Sequence, residues 1–248
     1  MVMFDKCGAF RKVLKSDSAL LRPSAVVQLQ DGCIAVKDRA SIFFFDSEGG
    51  FASSIGCGSL QKPYGLCIDD EGKLLTIEAH SHGSINVLTI CPQKRSVVAK
   101  MAVNLGLSFL ELQNSKPRFL MWYQKEEILV VDLGLNCINV INYKNGKLLY
   151  KFGENGFGHG QFSDPAGITS DSYGNIYIAD SRNHRIQVFD SSLNFTCILL
   201  TDCQLVRPSG IFITPDDDLL VINYWEHTVA KFSLTSKISY RELDIFPM

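Results

Sequence analysis

The sequence predicts an all-β fold assembled from repeated four-stranded units, and three observations carry that prediction. Five segments share one register: RPSAVVQLQDGCIAVKD, KPYGLCIDDEGKLLTIE, KPRFLMWYQKEEILVVD, DPAGITSDSYGNIYIAD and RPSGIFITPDDDLLVIN, led by Pro23, Pro63, Pro117, Pro165 and Pro208. Each is a Pro-led apolar strand, a polar or Gly turn, and a second apolar strand closed by Asp38, Glu78, Asp132, Asp180 or Asn223. A period in the forties means propeller blades or another repeat array. The strands are short and evenly spaced, and each ends in turn chemistry, as in sandwiches, barrels and propellers.

Residues 153–190 form the clearest unit: a Gly-rich turn, a Pro-led strand, a Tyr-Gly-Asn turn, an alternating strand, a Ser-Arg-Asn-His tip and a third strand ending in Asp190. Against this template the repeats fall near 19–58, 59–102, 113–153, 154–200 and 204–246. The predicted first strands are Val26–Leu29, Gly65–Ile68, Phe119–Trp122, Gly167–Thr169 and Gly210–Ile213. Residues 1–15 hold only a third-strand-like VMFD and an outer strand at Ala9–Leu14, a half-blade. An insertion, AVNLGLSFLELQNS, lengthens the connection before Pro117 and is expected to be a longer loop rather than a further blade.

The chain has 248 residues, 46% hydrophobic and 20% charged, enough to bury a sizeable core in a single β-rich domain. A net charge of −2 gives no global positive field to attract DNA, RNA or an anionic membrane. Eight cysteines include no C-x-x-C pair, and MVMFDKCGAF lacks a secretory apolar core. Reduced thiols and a cytoplasmic chain are therefore expected. No apolar run reaches the roughly 18 residues of a membrane helix.

The string YGNIYIADSRNHRIQVFD, with Asn183-His184 at its tip and FSDPAGI before it, resembles an NHL repeat, and the five copies together resemble an NHL β-propeller. The resemblance covers nearly the whole chain and implies a ring of six blades: five complete ones plus the N-terminal half-blade. Within the family the chain is similar to the C-terminal domain of tripartite-motif (TRIM)-NHL proteins, which carry a RING, a B-box and a coiled coil upstream and act as ubiquitin ligases or RNA-binding repressors. Neither paired zinc-ligand spacing nor heptads occur in these 248 residues. The implied role is non-catalytic: capturing a protein partner or ubiquitination substrate for ligase modules outside this chain. RNA recognition by the same loops is the alternative. A metal-dependent lyase or lactonase is a distant third.

The loops between second and third strands supply the candidate partner-binding face: Arg39, Arg182, Asn183, His184, Tyr224, Trp225 and His227. An aromatic pair flanked by charge at a loop tip is what an interface hot spot uses. The residue before each proline adds a candidate cationic ring of Arg22, Lys62, Lys116 and Arg207, with Asp164 as the exception. Such a ring could meet phosphate or an acidic peptide, but the second-strand acids are nearly as numerous and are expected to latch the cations in pairs. His80-x-His82 has a spacing that could hold zinc, yet no other histidine shares its context, so no metal or cofactor is expected. The glycines at 153, 156, 158 and 160 precede a strand and lack the Lys-Ser/Thr ending of a phosphate loop. No residue is assigned a catalytic role.

Overall fold

The computed structural model describes residues 1–4, 9–14, 20–56, 58–80, 84–199, 204–234 and 242–247. Five four-stranded sheets follow one another, each in the plain order first, second, third, fourth strand. Blade one comprises Pro23–Gln28, Ile34–Asp38, Ser41–Phe45 and Phe51–Ile55, and blade two Pro63–Ile68, Leu74–Ala79, Ser84–Cys91 and Ser96–Asn104. Blade three comprises Pro117–Gln124, Glu127–Asp132, Cys137–Asn142 and Lys147–Phe152. Blade four comprises Pro165–Ser170, Ile176–Asp180, Arg185–Phe189 and Phe195–Ile198, and blade five Pro208–Ile213, Asp218–Asn223, Thr228–Ser233 and Glu242–Pro247.

The expectation of six blades is corrected to five. Val2–Phe4 and Phe10–Val13 pair antiparallel as a separate two-stranded sheet. A full blade takes its first two strands from a Pro-led segment, and the sequence holds five such segments. The insertion also differs from the expected loop, because Phe109–Asn114 is a short helix. It starts at a capping box: Ser108 donates to Glu111 Oε2 through its N–H at 2.8 Å and its hydroxyl at 2.6 Å.

The chain packs as two compact units, residues 1–113, 120–129 and 140–149, and residues 114–119, 130–139 and 150–248. In the first, every residue of Ile34–Asp38 is buried, because a second strand is covered on both faces. Leu29, Ala35, Ile42 and Phe44 of blade one close over Leu66, Leu74, Leu88 and Ile90 of blade two. Each of the Leu, Ile and Phe side chains contributes about 1.5–3 kcal/mol when fully buried. Leu14 joins a second cluster with Ile34, Val36 and Phe45, tying the N-terminal pair to blade one.

Blades two and three are tied in this unit by polar contacts. Asp69 accepts the Tyr143 hydroxyl at 3.0 Å, and burial beside that carboxylate pushes the phenol above its ordinary range. On the surface Glu71 pairs with Lys73 and, at 3.0 Å, with Lys144. These two ammonium groups lower its pKa from 4.5 to about 2. A carboxylate with a depressed folded value contributes stability above its unfolded pKa and loses it as pH falls through the folded one. Thermal stability should therefore drop more steeply from pH 4.5 to 2 in the wild type than in Glu71→Gln. The difference should shrink at high salt because the group is exposed. Parallel pH profiles at low salt would show that the pair adds nothing.

In the second unit Tyr177, Ile186 and Val188 of blade four pack on Ile213, Leu219, Val221, Ala230 and Phe232 of blade five. The two first strands approach closely at Gly167, where an added Cβ would stand 2.4 Å from the Ser209 carbonyl and 2.7 Å from the Ile211 nitrogen. Backbone cannot yield as a side chain would. Gly167→Ala should therefore cost about 1–3 kcal/mol as an overpacking change, measured as a lower unfolding midpoint. An unchanged midpoint would mean the strands part freely.

Candidate functional site

The first-strand entry and the tip between second and third strands lie at the same end of each blade, since Pro165 pairs with Asp180 and Pro208 with Asn223. The residue closing each second strand holds that entry by accepting main-chain N–H groups. Asp38 accepts from Leu21 and Arg22 at 2.5 and 2.8 Å, and Glu78 from Gln61 at 2.6 Å. Asp132 accepts from Lys116 and Asp180 from Ser163, both at 2.7 Å, while Asn223 accepts from Val206 at 3.3 Å. All five closing residues are buried.

The expected latch between these acids and the pre-proline cations is not what forms. Arg22, Lys62 and Lys116 are exposed and join no ion pair among the described residues, whereas Arg207 pairs at 3.2 Å with Asp164. The oxygens that the amides leave over are taken by other side chains, Glu78 by Lys100 at 3.3 Å, Asp180 by Arg185 at 2.8 Å and Asp132 by the Ser115 hydroxyl.

A different link joins successive blades of the second unit. Asn136, at the tip of blade three, has φ 55° and accepts the Asp164 N–H at 2.8 Å. His184, at the tip of blade four, also has φ 55° and accepts the Arg207 N–H on Nδ1 at 3.2 Å. Asp164 and Arg207 each precede a proline at φ 51°. Left-handed backbone at a non-glycine residue costs on the order of 1–3 kcal/mol and persists only where its surroundings over-determine it. His227 repeats the left-handed tip in blade five at φ 55°, and Arg39 in blade one at φ 52°. Arg39, however, carries donors only and cannot accept an amide.

Asn183 belongs to the framework. Its Nδ2 donates to the Gly156 carbonyl and to Asp180, both at 2.8 Å. Arg185 donates to Asp180 and to the carbonyls of Phe157 and Gly158 at 2.8 Å, and to that of Gln161 at 3.0 Å. The Gly-rich turn is thus wrapped around a guanidinium, and its carbonyls point at a cation rather than its amides at a phosphate. It carries Phe157 outward at 81% exposure.

Arg39 in the first unit and Arg182, Tyr224, Trp225 and His227 in the second remain as exposed groups. Tyr224 is 60% and Trp225 67% exposed, on a tip pinned by Tyr224 N–H to the Arg207 carbonyl at 3.3 Å and Glu226 N–H to that of Asn223 at 3.2 Å. The Arg207 guanidinium lies 5.9 Å from the Trp225 ring centroid. Arg182 Nε reaches Asp164 Oδ2 at 2.6 Å, so one carboxylate oxygen serves two guanidiniums. Asp164 and Phe157 were not among the expected site residues. The signal for Asp164 was present, since it is the single acid in a row of pre-proline cations.

His80 contacts Asn86, and His82 lies outside the described residues. Among the described residues no three His, Cys, Asp or Glu side chains gather as a metal set. Cys33, Cys67, Cys91, Cys137 and Cys197 stand as thiols, while Cys7, Cys57 and Cys203 lie outside the described residues.

Blades whose second strands close on a buried acid or Asn, with Asn136 and His184 tips joining blades three to four and four to five, define the class as a β-propeller of five four-stranded blades, one of which carries an NHL repeat. The NHL repeat family matches residues 162–189, the blade-four segment from Phe162 to Phe189. NHL repeat-containing protein 3 of Homo sapiens is 33% identical over 120 residues, which cover 47% of this chain and 35% of that protein. Protein brain tumor of Drosophila melanogaster is 31% identical over 110 residues, 37% of this chain and 11% of that protein. B-box type zinc finger protein ncl-1 of Caenorhabditis elegans is 48% identical over 54 residues, 21% of this chain and 6% of that protein. The matches thus span about a third or less of these relatives. Among solved structures, virginiamycin B lyase from Staphylococcus aureus superposes with a TM-score of 0.67 at 15% identity, over 99% of this chain and 76% of that one. A nidogen/laminin complex gives 0.66 at 15% identity, over 91% and 80%. At these identities the likeness is one of fold.

Proposed function

We propose that this chain is a non-catalytic recognition module that captures a protein partner on the tip end of blades four and five. One observation carries the reading: Tyr224 and Trp225 stand 60% and 67% exposed on a tip whose backbone is fixed. Exposed aromatics on a fixed backbone are what hot spots are built from. The nearby charges favour a protein over a polyanion, because Arg182 and Arg207 are accompanied by Asp164 and Glu226. By resemblance to TRIM-NHL proteins, the partner is a substrate presented in the cytoplasm to RING-type ligase modules outside this chain.

RNA binding is the second reading, favoured by the exposure of Arg22, Lys62 and Lys116 without ion pairs among the described residues. A photo-cross-linking residue at position 225, used in intact cells and resolved into protein and RNA adducts, tests both. A protein adduct lost on competition with unmodified chain supports capture. An RNA adduct alone supports the second reading, and no adduct removes the surface as a recognition site.

A further inference from the structure

We propose that Arg182 and Arg207 form a carboxylate-accepting notch for an acidic segment of the partner, and that Asp164 is its built-in occupant. This rests on the tip end of blades four and five being a protein-recognition surface. Both guanidiniums address the same atom, Asp164 Oδ2, at 2.6 and 3.2 Å. Each guanidinium carries five N–H donors, and these contacts use a single nitrogen of each. Two cations therefore converge on one carboxylate oxygen with donor capacity to spare, and the point of convergence marks where a foreign carboxylate would sit.

The notch is also pre-set. Asp164 and Arg207 hold left-handed backbone before prolines, each fixed through its N–H by the tip of the preceding blade, Asn136 for one and His184 for the other. These blade-joining bonds hold the left-handed backbone in place, so both side chains project from fixed positions. Arg207 lies over Trp225, so an acidic residue entering the notch brings its neighbour onto an exposed aromatic face. An acid beside an apolar residue is the chemistry that fits. A polynucleotide would have to bring a run of phosphates past Asp164 and the exposed Glu226.

The test uses the full chain and three probes in fluorescence anisotropy: a short labelled Glu/Leu peptide, its Gln/Leu counterpart, and labelled oligouridylate. The wild type should prefer the Glu peptide. Asp164→Asn, which frees both guanidiniums, should tighten that peptide about tenfold, a modest share of the coupling measured for close interfacial charges. Arg182→Ala, whose exposed side chain leaves the fold intact, should abolish the preference. Equal affinity for the Glu and Gln peptides, no response to Asp164→Asn, or no binding of either peptide would overturn the proposal. So would a larger gain for oligouridylate than for the Glu peptide, since the surface would then select polyanions. A protein cross-link at position 225 without any preference for Glu would remove the notch and leave the recognition surface standing. Loss of that cross-link would remove the surface itself.

Discussion

Replacing Asp180 by alanine is expected to be the most damaging single change in blade four. Its carboxylate is fully buried and receives the Ser163 N–H, Arg185 Nε, Asn183 Nδ2 and Gln187 Nε2 at 2.7, 2.8, 2.8 and 3.1 Å. Alanine would leave a nearly buried guanidinium without its counter-charge and the Ser163 amide without an acceptor, and would strip one of two acceptors each from Asn183 Nδ2 and Gln187 Nε2. Removing one partner of a buried ion pair costs about 3–5 kcal/mol. At roughly 2–4 °C per kcal/mol for a chain of this size, the unfolding midpoint should fall by about 6–20 °C. Asp180→Asn keeps an acceptor for the Ser163 amide and should fall between the two. A midpoint for Asp180→Ala within about 2 °C of the wild type would contradict the assignment of this acid as the anchor of the blade.

The second large effect falls on binding and should leave stability almost untouched. Trp225→Ala removes a side chain that is 67% exposed, and surface changes of that kind stay within about 0.5 kcal/mol in stability. If the tip is the centre of the captured interface, the same change should weaken the cross-linked partner by about 2 kcal/mol, close to thirtyfold. Tyr224→Ala should weaken it in the same direction. Isothermal titration with the identified partner, beside thermal melts of each variant, separates the two effects. Undiminished affinity in the Trp225→Ala, Tyr224→Ala double variant would displace the interface from this tip.

The architecture was legible because every first strand announces itself by a proline and every second strand by a terminal acid or Asn. Four of the five predicted first strands fall inside observed ones, and Val26–Leu29 overruns Pro23–Gln28 by one residue. The helix at Phe109–Asn114 was also written in the chain, as Ser108-x-x-Glu111, but it sits in the one stretch where the repeat lapses, and a template hides what it does not contain. The cation and acid pairing was misjudged for a physical reason. Aligned charges suggest side-chain pairs, whereas Asp38, Glu78, Asp132 and Asp180 are engaged by main-chain amides, which leave no compositional trace. Asn183 and His184 stood out as the most distinctive letters of the tip. They stand out because blade four and its neighbour are built on them, while recognition is proposed for the less patterned Arg182, Tyr224 and Trp225.

The link through Asn136 and His184 bears on how such a chain changes length. Blade four offers both an acceptor at its own tip, His184, and an amide at its own entrance, Asp164, so copies of it would be head-to-tail complementary without adjustment. A duplicated blade would arrive with both halves of the joint, and a lost one would leave its neighbours able to join each other. Local chemistry of this kind prescribes the connection and leaves the tally open. A repeat whose joints are indifferent to number can be recognised from one copy, while the count of blades has to be taken from the chain itself.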